Sequence, residues 1–162
     1  MAKKNDLRFE DAPDHAKDLL KKCIKERFPN LGQANILLLM DTKKRESQGM
    51  ITLGRILKTN DLTRHLTIDE SGSDLGYDYI IFFDKLCWDN MKDIDRTRLI
   101  SHELSHTDIS VDDSKFKIRA HTIEDFYSEV ERNQDDPQWR RRVGDMLIAR
   151  YEAKDPQQKL PL

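Results

Sequence analysis

Apolar residues recur along the chain at two different spacings, one typical of helices and one typical of strands. Between residues 16 and 28 they return every three or four positions, which places them on one face of a helix. Pro13 and Asp14 can start this helix, and residues 29–32 can end it. The apolar face consists of Ala16, Leu19, Leu20, Cys23, Ile24 and Phe28.

Three short apolar runs predict the strands of a small twisted sheet, mixed or antiparallel. They cover residues 36–40, 50–57 and 79–83. The charged segment 43–49 is expected to be a turn that joins the first two runs as an antiparallel pair. Residues 65–68 are expected to add an edge strand.

Helical spacing returns in the second half of the chain. Leu99, Ile100 and Leu104 predict a helix with one buried stripe, and Asp93 offers an N-cap oxygen and negative charge near its start. The residues after His106 continue a helix poorly, so the helix is expected to end within a few residues of it.

Two further helices are predicted beyond this one. The first is marked by Ile123, Phe126, Tyr127 and Val130, and the last by Trp139, Val143, Met146, Leu147 and Tyr151. The segment 133–137 separates them, and residues 154–162 are expected to form a disordered tail.

Composition limits the classes of protein that this chain can belong to. Its 162 residues are 37% hydrophobic and 36% charged, which predicts one domain over residues 1–153 with a modest core. The formal net charge of −2 means that the protein as a whole does not attract nucleic acid electrostatically. The basic cluster 140–142 nevertheless leaves a nucleic-acid-associated role as an alternative.

Cysteine usage and the N-terminus indicate a reducing compartment. Cys23 and Cys87 are expected to lie on different elements as buried small side chains, and no Cys-x-x-Cys pair is present. The basic residues 1–6 are followed by charged sequence rather than an apolar run, so neither a signal peptide nor a membrane span is expected. A cytoplasmic location is therefore expected, and the sequence leaves the oligomeric state open.

The run from His102 to His106 is the strongest indication of a metal site in this sequence. It reads His-Glu-x-x-His at the end of the predicted helix, and residues four apart lie on one helix face, so both imidazoles can bind one metal ion. Glu103 lies partly off that line and can hold a water molecule on the metal without being a ligand. This arrangement is typical of zinc proteases.

A catalytic zinc site needs a third protein ligand and one open position for water. The next histidine, His121, is expected near the first turn of the helix that contains Phe126 and Tyr127. Glu124, three residues later on the same helix face, would be the ligand of a site with two histidines and a carboxylate. We favour His121 because imidazole suits zinc better, although manganese, nickel or cobalt could occupy the same ligands.

Part of the chain resembles a known family, the small phage-type metallopeptidases. In that family the active helix is followed by a short strand and a His-x-x-Glu-x-Phe segment, which residues 102–106, 115–118 and 121–126 resemble. The resemblance extends upstream to the apolar stretch 76–81 and covers about residues 34–132. More distantly, the layout is similar to the SprT-like proteases, in which a histidine of the second helix completes a three-histidine zinc site.

The resemblance implies an α+β, zincin-like fold and a site in which zinc is bound by His102, His106 and His121. Glu103 would be the catalytic carboxylate. Zinc lowers the pKa of its bound water toward neutrality, and Glu103 would accept that proton while the water attacks the substrate carbonyl. Tyr127, Tyr79, Tyr77 and His65 are conceivable oxyanion donors, although such residues are more often structural.

The sequence therefore predicts a zinc metallopeptidase that hydrolyses peptide or protein substrates. A peptide could bind by adding a strand to an exposed sheet edge beside the metal. The alternatives are a non-catalytic or regulatory binding module on a zincin scaffold, and an SprT-like protease that acts on DNA-associated proteins. Glu103 separates the first alternative from an enzyme, because a purely structural site needs no carboxylate beside the metal.

Overall fold

The computed structural model describes residues 7–110, 115–122 and 124–154. The chain divides into two units, Met1–Ala120 and His121–Leu162. The expected single domain over residues 1–153 stays a prediction. Helices and sheets occur together, which confirms the α+β class.

Four strands of the first unit form a mixed sheet in the order β1-β2-β6-β5. The central strands β2 (Ile36–Asp41) and β6 (Tyr79–Asp84) are parallel, whereas β1 (Phe9–Asp11) and β5 (Gly54–Lys58) run antiparallel to their neighbours. Four of the six residues of strand β6 are buried. This pattern is typical of a central strand that is covered on both faces, whereas a strand with one exposed face alternates between apolar and polar residues. Strand β5 is an edge strand of this sheet.

Two of the three predicted strands are confirmed, and the middle one is divided. The run 50–57 contains β4 (Met50–Ile51), which pairs with β3 (Glu46–Ser47) in a separate two-stranded sheet, and then β5. The turn between β3 and β4 contains Gln48 and Gly49, both with positive φ, as a tight hairpin of this kind requires. The predicted pairing of residues 36–40 with residues 50–57 is wrong, because β6 lies between β2 and β5.

The predicted edge strand at residues 65–68 is also wrong. Helix α2 (Asp61–Leu66) is followed directly by helix α3 (Ile68–Ser71). The backbone N–H of Thr63 donates to Oδ1 of Asn60, and the Thr63 hydroxyl accepts from the N–H of Asn60, both at 2.9 Å. This reciprocal capping box satisfies the first amides of α2, so the segment is helical despite its apolar, β-branched residues.

Helices α1 (Asp14–Arg27) and α5 (Asp93–Leu104) pack together on one face of the sheet. The predicted helices at these two places are confirmed, and the three most buried residues of α1 belong to its predicted apolar face. A short helix, α4 (Lys85–Asn90), follows β6 and stacks Trp88 on Phe83 with ring centroids 5.0 Å apart. Among the described residues, the shared core consists of Ala12, Ala16, Leu20, Cys23, Leu31, Leu38, Met40, Ile56, Tyr79, Ile81, Phe83, Trp88, Ile100 and Leu104.

Both cysteines are free thiols, as expected. The predicted burial is confirmed for Cys23, which lies among the apolar residues of α1, but it is wrong for Cys87 in α4, which is only half-buried. Strands β7 (Thr107–Ile109) and β8 (Phe116–Ile118) form a separate antiparallel pair directly after α5. The short strand expected after the helix that carries residues 102–106 is thereby confirmed.

The second unit contains helices α6 (Tyr127–Arg132) and α7 (Trp139–Lys154). The prediction that places His121 near the first turn of a helix is wrong, because α6 begins six residues after it. The spacing that suggested a buried stripe includes Ile123, which lies outside the described residues, and Tyr127, whose side chain is 82% exposed.

The C-terminal helix is confirmed. Lys154 is its last residue, and the remaining residues of the predicted tail, 155–162, lie outside the described residues. Among the helices that the structure describes, none combines the length and the hydropathy needed to cross a lipid bilayer.

Candidate metal centre

The two histidines of the His-Glu-x-x-His run lie at the C-terminal end of α5. The helix ends at Leu104, and the backbone N–H of His106 donates to the carbonyl of Glu103 at 3.1 Å in a tighter final turn. The rings of His102 and His106 are close, with centroids 5.3 Å apart and planes at 80°. The expected end of the helix beside His106 is confirmed.

Arg119 returns the chain from β8 to the end of α5. Its backbone N–H donates to the carbonyl of His106 at 2.8 Å, and its Nε donates to the carbonyl of Ser105 at 2.7 Å. These bonds satisfy carbonyls that the end of a helix leaves without intrahelical partners. His121 follows Arg119 by only two residues. The bonds of Arg119 therefore limit how far His121 can lie from the end of α5.

The three predicted histidines converge. The metal-binding atoms of His102, His106 and His121 all lie within 4.8 Å of one another, and His102 and His121 are exposed while His106 is half-buried. Nitrogen atoms bound to a tetrahedral zinc ion lie about 3.3 Å apart, given Zn–N bonds of about 2.0 Å. Glu124, the alternative third ligand, is not a member of this cluster.

A hydrogen bond on the far side of one ring supports the fit to a metal. Nδ1 of His106 lies 2.8 Å from the backbone carbonyl of Arg119, which can only accept, so Nδ1 carries the proton in this bond. In the neutral imidazole the lone pair is then on Nε2. Histidine ligands in proteins commonly donate their second ring N–H to a carbonyl in this way, which fixes the tautomer and the orientation of the ring.

Glu103 has a different environment from the histidines, because its side chain is buried. It is 5% exposed and lies against β5, where a Cβ atom added at Gly54 would be 3.3 Å from its Oε1. Burial raises the pKa of Glu103, and the charge of His106 and a hydrogen bond from the backbone N–H of Ile56 oppose this shift. A carboxylate of raised pKa in a partly enclosed site is suited to accept and return a proton.

The alternation of hydrogen bonds along β5 places Glu103 at the sheet edge. The N–H of Asp84 donates to the carbonyl of Leu53, and the N–H of Thr59 donates to the carbonyl of Asp78. Residues 53 and 59 therefore direct backbone groups toward β6, and the backbone groups of Gly54 and Ile56 face the opposite, edge side. The carboxylate of Glu103 lies on that side.

Two of the predicted oxyanion donors, Tyr79 and Tyr77, have their hydroxyls near backbone carbonyls in other parts of the fold, whereas the roles of His65 and Tyr127 stay predictions. The hydroxyl of Tyr79 is buried and donates to the carbonyl of Lys117 at 2.8 Å, so it serves the structure of the hairpin. The hydroxyl of Tyr77 lies 3.4 Å from the carbonyl of Glu70, and His65 is a residue of α2.

Three residues that contact this site were missed by the sequence analysis. Gly54 and Ile56 contact Glu103 from the edge strand, and Arg119 binds the end of α5. A glycine in the middle of an apolar run is the one signal that could have directed attention to Gly54. Backbone contacts such as those of Ile56 and Arg119 have no sequence signature.

Comparison with known proteins identifies one family. The model of the family described as "Putative phage metallopeptidase" matches residues 7–147, which is most of the chain. No curated protein and no solved structure matches the chain significantly.

Proposed function

The chain belongs to this phage metallopeptidase family, and from this premise we propose that it is a zinc-dependent peptidase. His102, His106 and His121 are the proposed metal ligands, and Glu103 is the proposed catalytic carboxylate. The observation that carries the proposal is the convergence of three imidazoles to within 4.8 Å beside a buried glutamate.

The donor set favours zinc over harder divalent cations, because all three ligands are imidazoles. Three protein ligands also suit a catalytic rather than a structural zinc site, since structural sites use four. When bound, zinc supplies a Lewis acid that polarises the scissile carbonyl and lowers the pKa of water. The hydrogen bond from His106 to Arg119 orients one of the ligands before the metal binds.

Glu103 is proposed to move the proton of the reaction. Its carboxylate accepts a proton from the attacking water and returns it to the nitrogen of the leaving amine. Contacts with Gly54 and Ile56 hold the side chain in one place, so the proton acceptor is oriented before the substrate binds.

The proposed substrate is an extended peptide or protein segment that binds along β5. Gly54 and the strand edge next to Glu103 offer backbone groups on the side that β6 does not use. Addition of a strand there would bring the peptide backbone to the carboxylate, with main-chain hydrogen bonds supplying affinity for many sequences.

Replacing Glu103 with glutamine tests the proposed mechanism. We expect Glu103→Gln to bind zinc in the same amount as the unaltered protein but to cleave an unstructured protein such as casein about 10²–10⁴-fold more slowly, because only proton transfer is lost. Metal content measured by mass spectrometry and cleavage measured from released amino groups give the two results separately. Full activity of Glu103→Gln would contradict the mechanism.

Two further variants serve as controls. Glu124→Gln makes the same chemical change at an exposed glutamate, and we expect it to keep both zinc and activity. Loss of zinc from Glu124→Gln would instead favour Glu124 as the third ligand. His102→Ala should lose both zinc and activity, whereas zinc binding by the unaltered protein without cleavage of any substrate would favour the non-catalytic alternative.

A further inference from the structure

Tyr79, in the central strand β6, is fully buried and attached to the hairpin that precedes His121. Its hydroxyl donates to the backbone carbonyl of Lys117 at 2.8 Å and lies 3.4 Å from the carbonyl of Asp108. Asp108 and Lys117 are paired in the register of β7 and β8. The ring meets Phe116 edge to face with centroids 5.6 Å apart. One phenol therefore attaches both strands of the hairpin to the sheet.

The same hairpin connects the second histidine of the cluster to the third. Strand β7 begins directly after His106, and His121 follows the end of β8 by three residues. Arg119 closes the base of the hairpin through its bonds to Ser105 and His106. A shift of the hairpin on the sheet would therefore move the segment that carries His121.

His102 is positioned by a different part of the fold. It lies in α5, where Ile100 and Leu104 on either side of it in the sequence are fully buried in the core. The position of His102 therefore depends on how α5 packs in the core, while the position of His121 depends on where the hairpin lies on the sheet. A metal site shared by both needs the hairpin and the helix to keep one relative arrangement.

We infer that Tyr79 is a positioning residue for the metal centre. Its hydroxyl holds the hairpin against the sheet, which keeps His121 within reach of an ion bound by His102 and His106. The inference rests on the proposed function only in requiring that the three histidines bind a metal. It does not require peptidase activity. Burial raises the pKa of Tyr79 despite its hydrogen bonds to Lys117 and Asp108, so the hydroxyl remains a donor at neutral pH.

The variant Tyr79→Phe removes the hydroxyl and keeps the ring. We expect its zinc affinity, measured by competition with a chromogenic chelator, to fall about 10-fold or more, as is usual when residues that orient metal ligands are lost. Cobalt(II) bound in place of zinc should show a weaker visible absorption, because the coordination geometry is less well defined. Tyr77→Phe is the matched control, since its hydroxyl lies near Glu70 and not on the hairpin, and it should bind metal unchanged.

A double-mutant cycle separates positioning from general loosening of the fold. In a His121→Ala background the third ligand is absent, so Tyr79→Phe should cause a much smaller loss of zinc affinity than it does in the unaltered background. An equal loss with and without His121 would overturn the inference, as would an unchanged affinity of Tyr79→Phe in the unaltered background.

A second variant loosens the same hairpin at an exposed position. Arg119→Ala removes the bond from Nε to the Ser105 carbonyl, and we expect it to weaken zinc binding more when His121 is present than when it is absent. It tests whether the placement of the hairpin positions His121 even if Tyr79→Phe does not fold, and an equal loss of zinc affinity with and without His121 would overturn the inference. Failure of the unaltered protein to bind any metal would remove the inference together with the proposed site. Metal binding without peptidase activity would remove only the proposed function.

Discussion

At Gly54 the absence of a side chain decides where the carboxylate of Glu103 lies. The register of the sheet places Gly54 opposite Phe83, on the face that packs against α5. A Cβ atom at this position would be 2.7 Å from Cδ1 of Phe83 and 3.3 Å from Oε1 of Glu103. The Phe83 ring is fully buried and stacked on Trp88, so it has no space into which to move.

We expect Gly54→Ala to destabilise the protein by about 1–3 kcal/mol, because a methyl group is forced into a filled site. It should also lower peptidase activity beyond the loss of folded protein, since the same methyl group displaces Glu103. Chemical denaturation and cleavage assays below the unfolding transition measure the two effects.

Gly144→Ala is the matched control for this prediction. Gly144 lies within α7, and apart from its chain neighbours and the backbone of its own helix no atom of the described residues lies within 4 Å of an added Cβ. Alanine should therefore stabilise the helix by about 0.5–1 kcal/mol, through its better helix propensity. Equal effects of the two substitutions would contradict the steric argument.

Among the elements, β1 and β2 are joined at their ends by a buried carboxylate. Asp41 is 3% exposed and accepts hydrogen bonds from Nε and Nη2 of Arg8 at 2.9 and 3.0 Å and from the N–H of Lys43 at 3.1 Å. Burial by itself raises the pKa of Asp41, but the bonds from Arg8 and Lys43 and the charges of Arg8 and Arg45 outweigh it. They hold the pKa below its usual value.

This shift predicts how the stability of the sheet depends on pH. Because the pKa of Asp41 is lower in the folded than in the unfolded chain, its contribution is present above the unfolded value, about 3.9, and is lost as the pH falls through the folded value. We expect Asp41→Asn to lower the thermal midpoint by a few degrees at pH 7, and the difference from the unaltered protein to shrink below about pH 4.

Glu10→Gln is the corresponding control at an exposed ion pair. Glu10 accepts from Nζ of Lys85 at 2.8 Å, but both side chains are exposed, and such pairs contribute little. Its thermal midpoint should stay close to that of the unaltered protein at both pH values. A pH-independent effect of Asp41→Asn would show that the carboxylate charge is not responsible.

At the scale of the whole molecule, metal binding is expected to be coupled to stability. A ligand that binds only the folded state stabilises it by about 2.7 kcal/mol when its free concentration is 100 times its Kd. We therefore expect zinc to raise the thermal midpoint and a chelator to reverse the rise. His102→Ala should show no such rise, and an equal rise in that variant would place the zinc elsewhere.

The charge distribution of the second unit bears on the nucleic-acid alternative. Each arginine of the cluster 140–142 has a carboxylate nearby, which reduces the local positive potential. The pairs are Arg140–Asp125 at 3.8 Å, Arg141–Asp145 at 4.0 Å and Arg142–Asp136 at 2.8 Å. The arrangement adds no support for DNA binding, which stays a prediction.

Elements whose signals are local can be predicted from the amino-acid sequence alone. The periodicity of α1 and α5, the apolar runs of β2 and β6, and the four-residue spacing of His102 and His106 all follow from neighbours in the chain. These features are enough to place two candidate ligands and Glu103 at the end of a helix.

Features that depend on contacts between segments distant in the chain could not be predicted in this way. The central place of β6, the burial of Glu103 against Gly54 and the approach of His121 from a hairpin rather than from a helix all rest on such contacts. Backbone hydrogen bonds between distant strands carry no residue code, because every residue except proline offers the same donor and acceptor. The residues of the capping box at Asn60 are visible in the sequence, but the apolar residues beside them favoured the prediction of a strand. In the structure the hydrogen bonds of the capping box stabilise a helix instead.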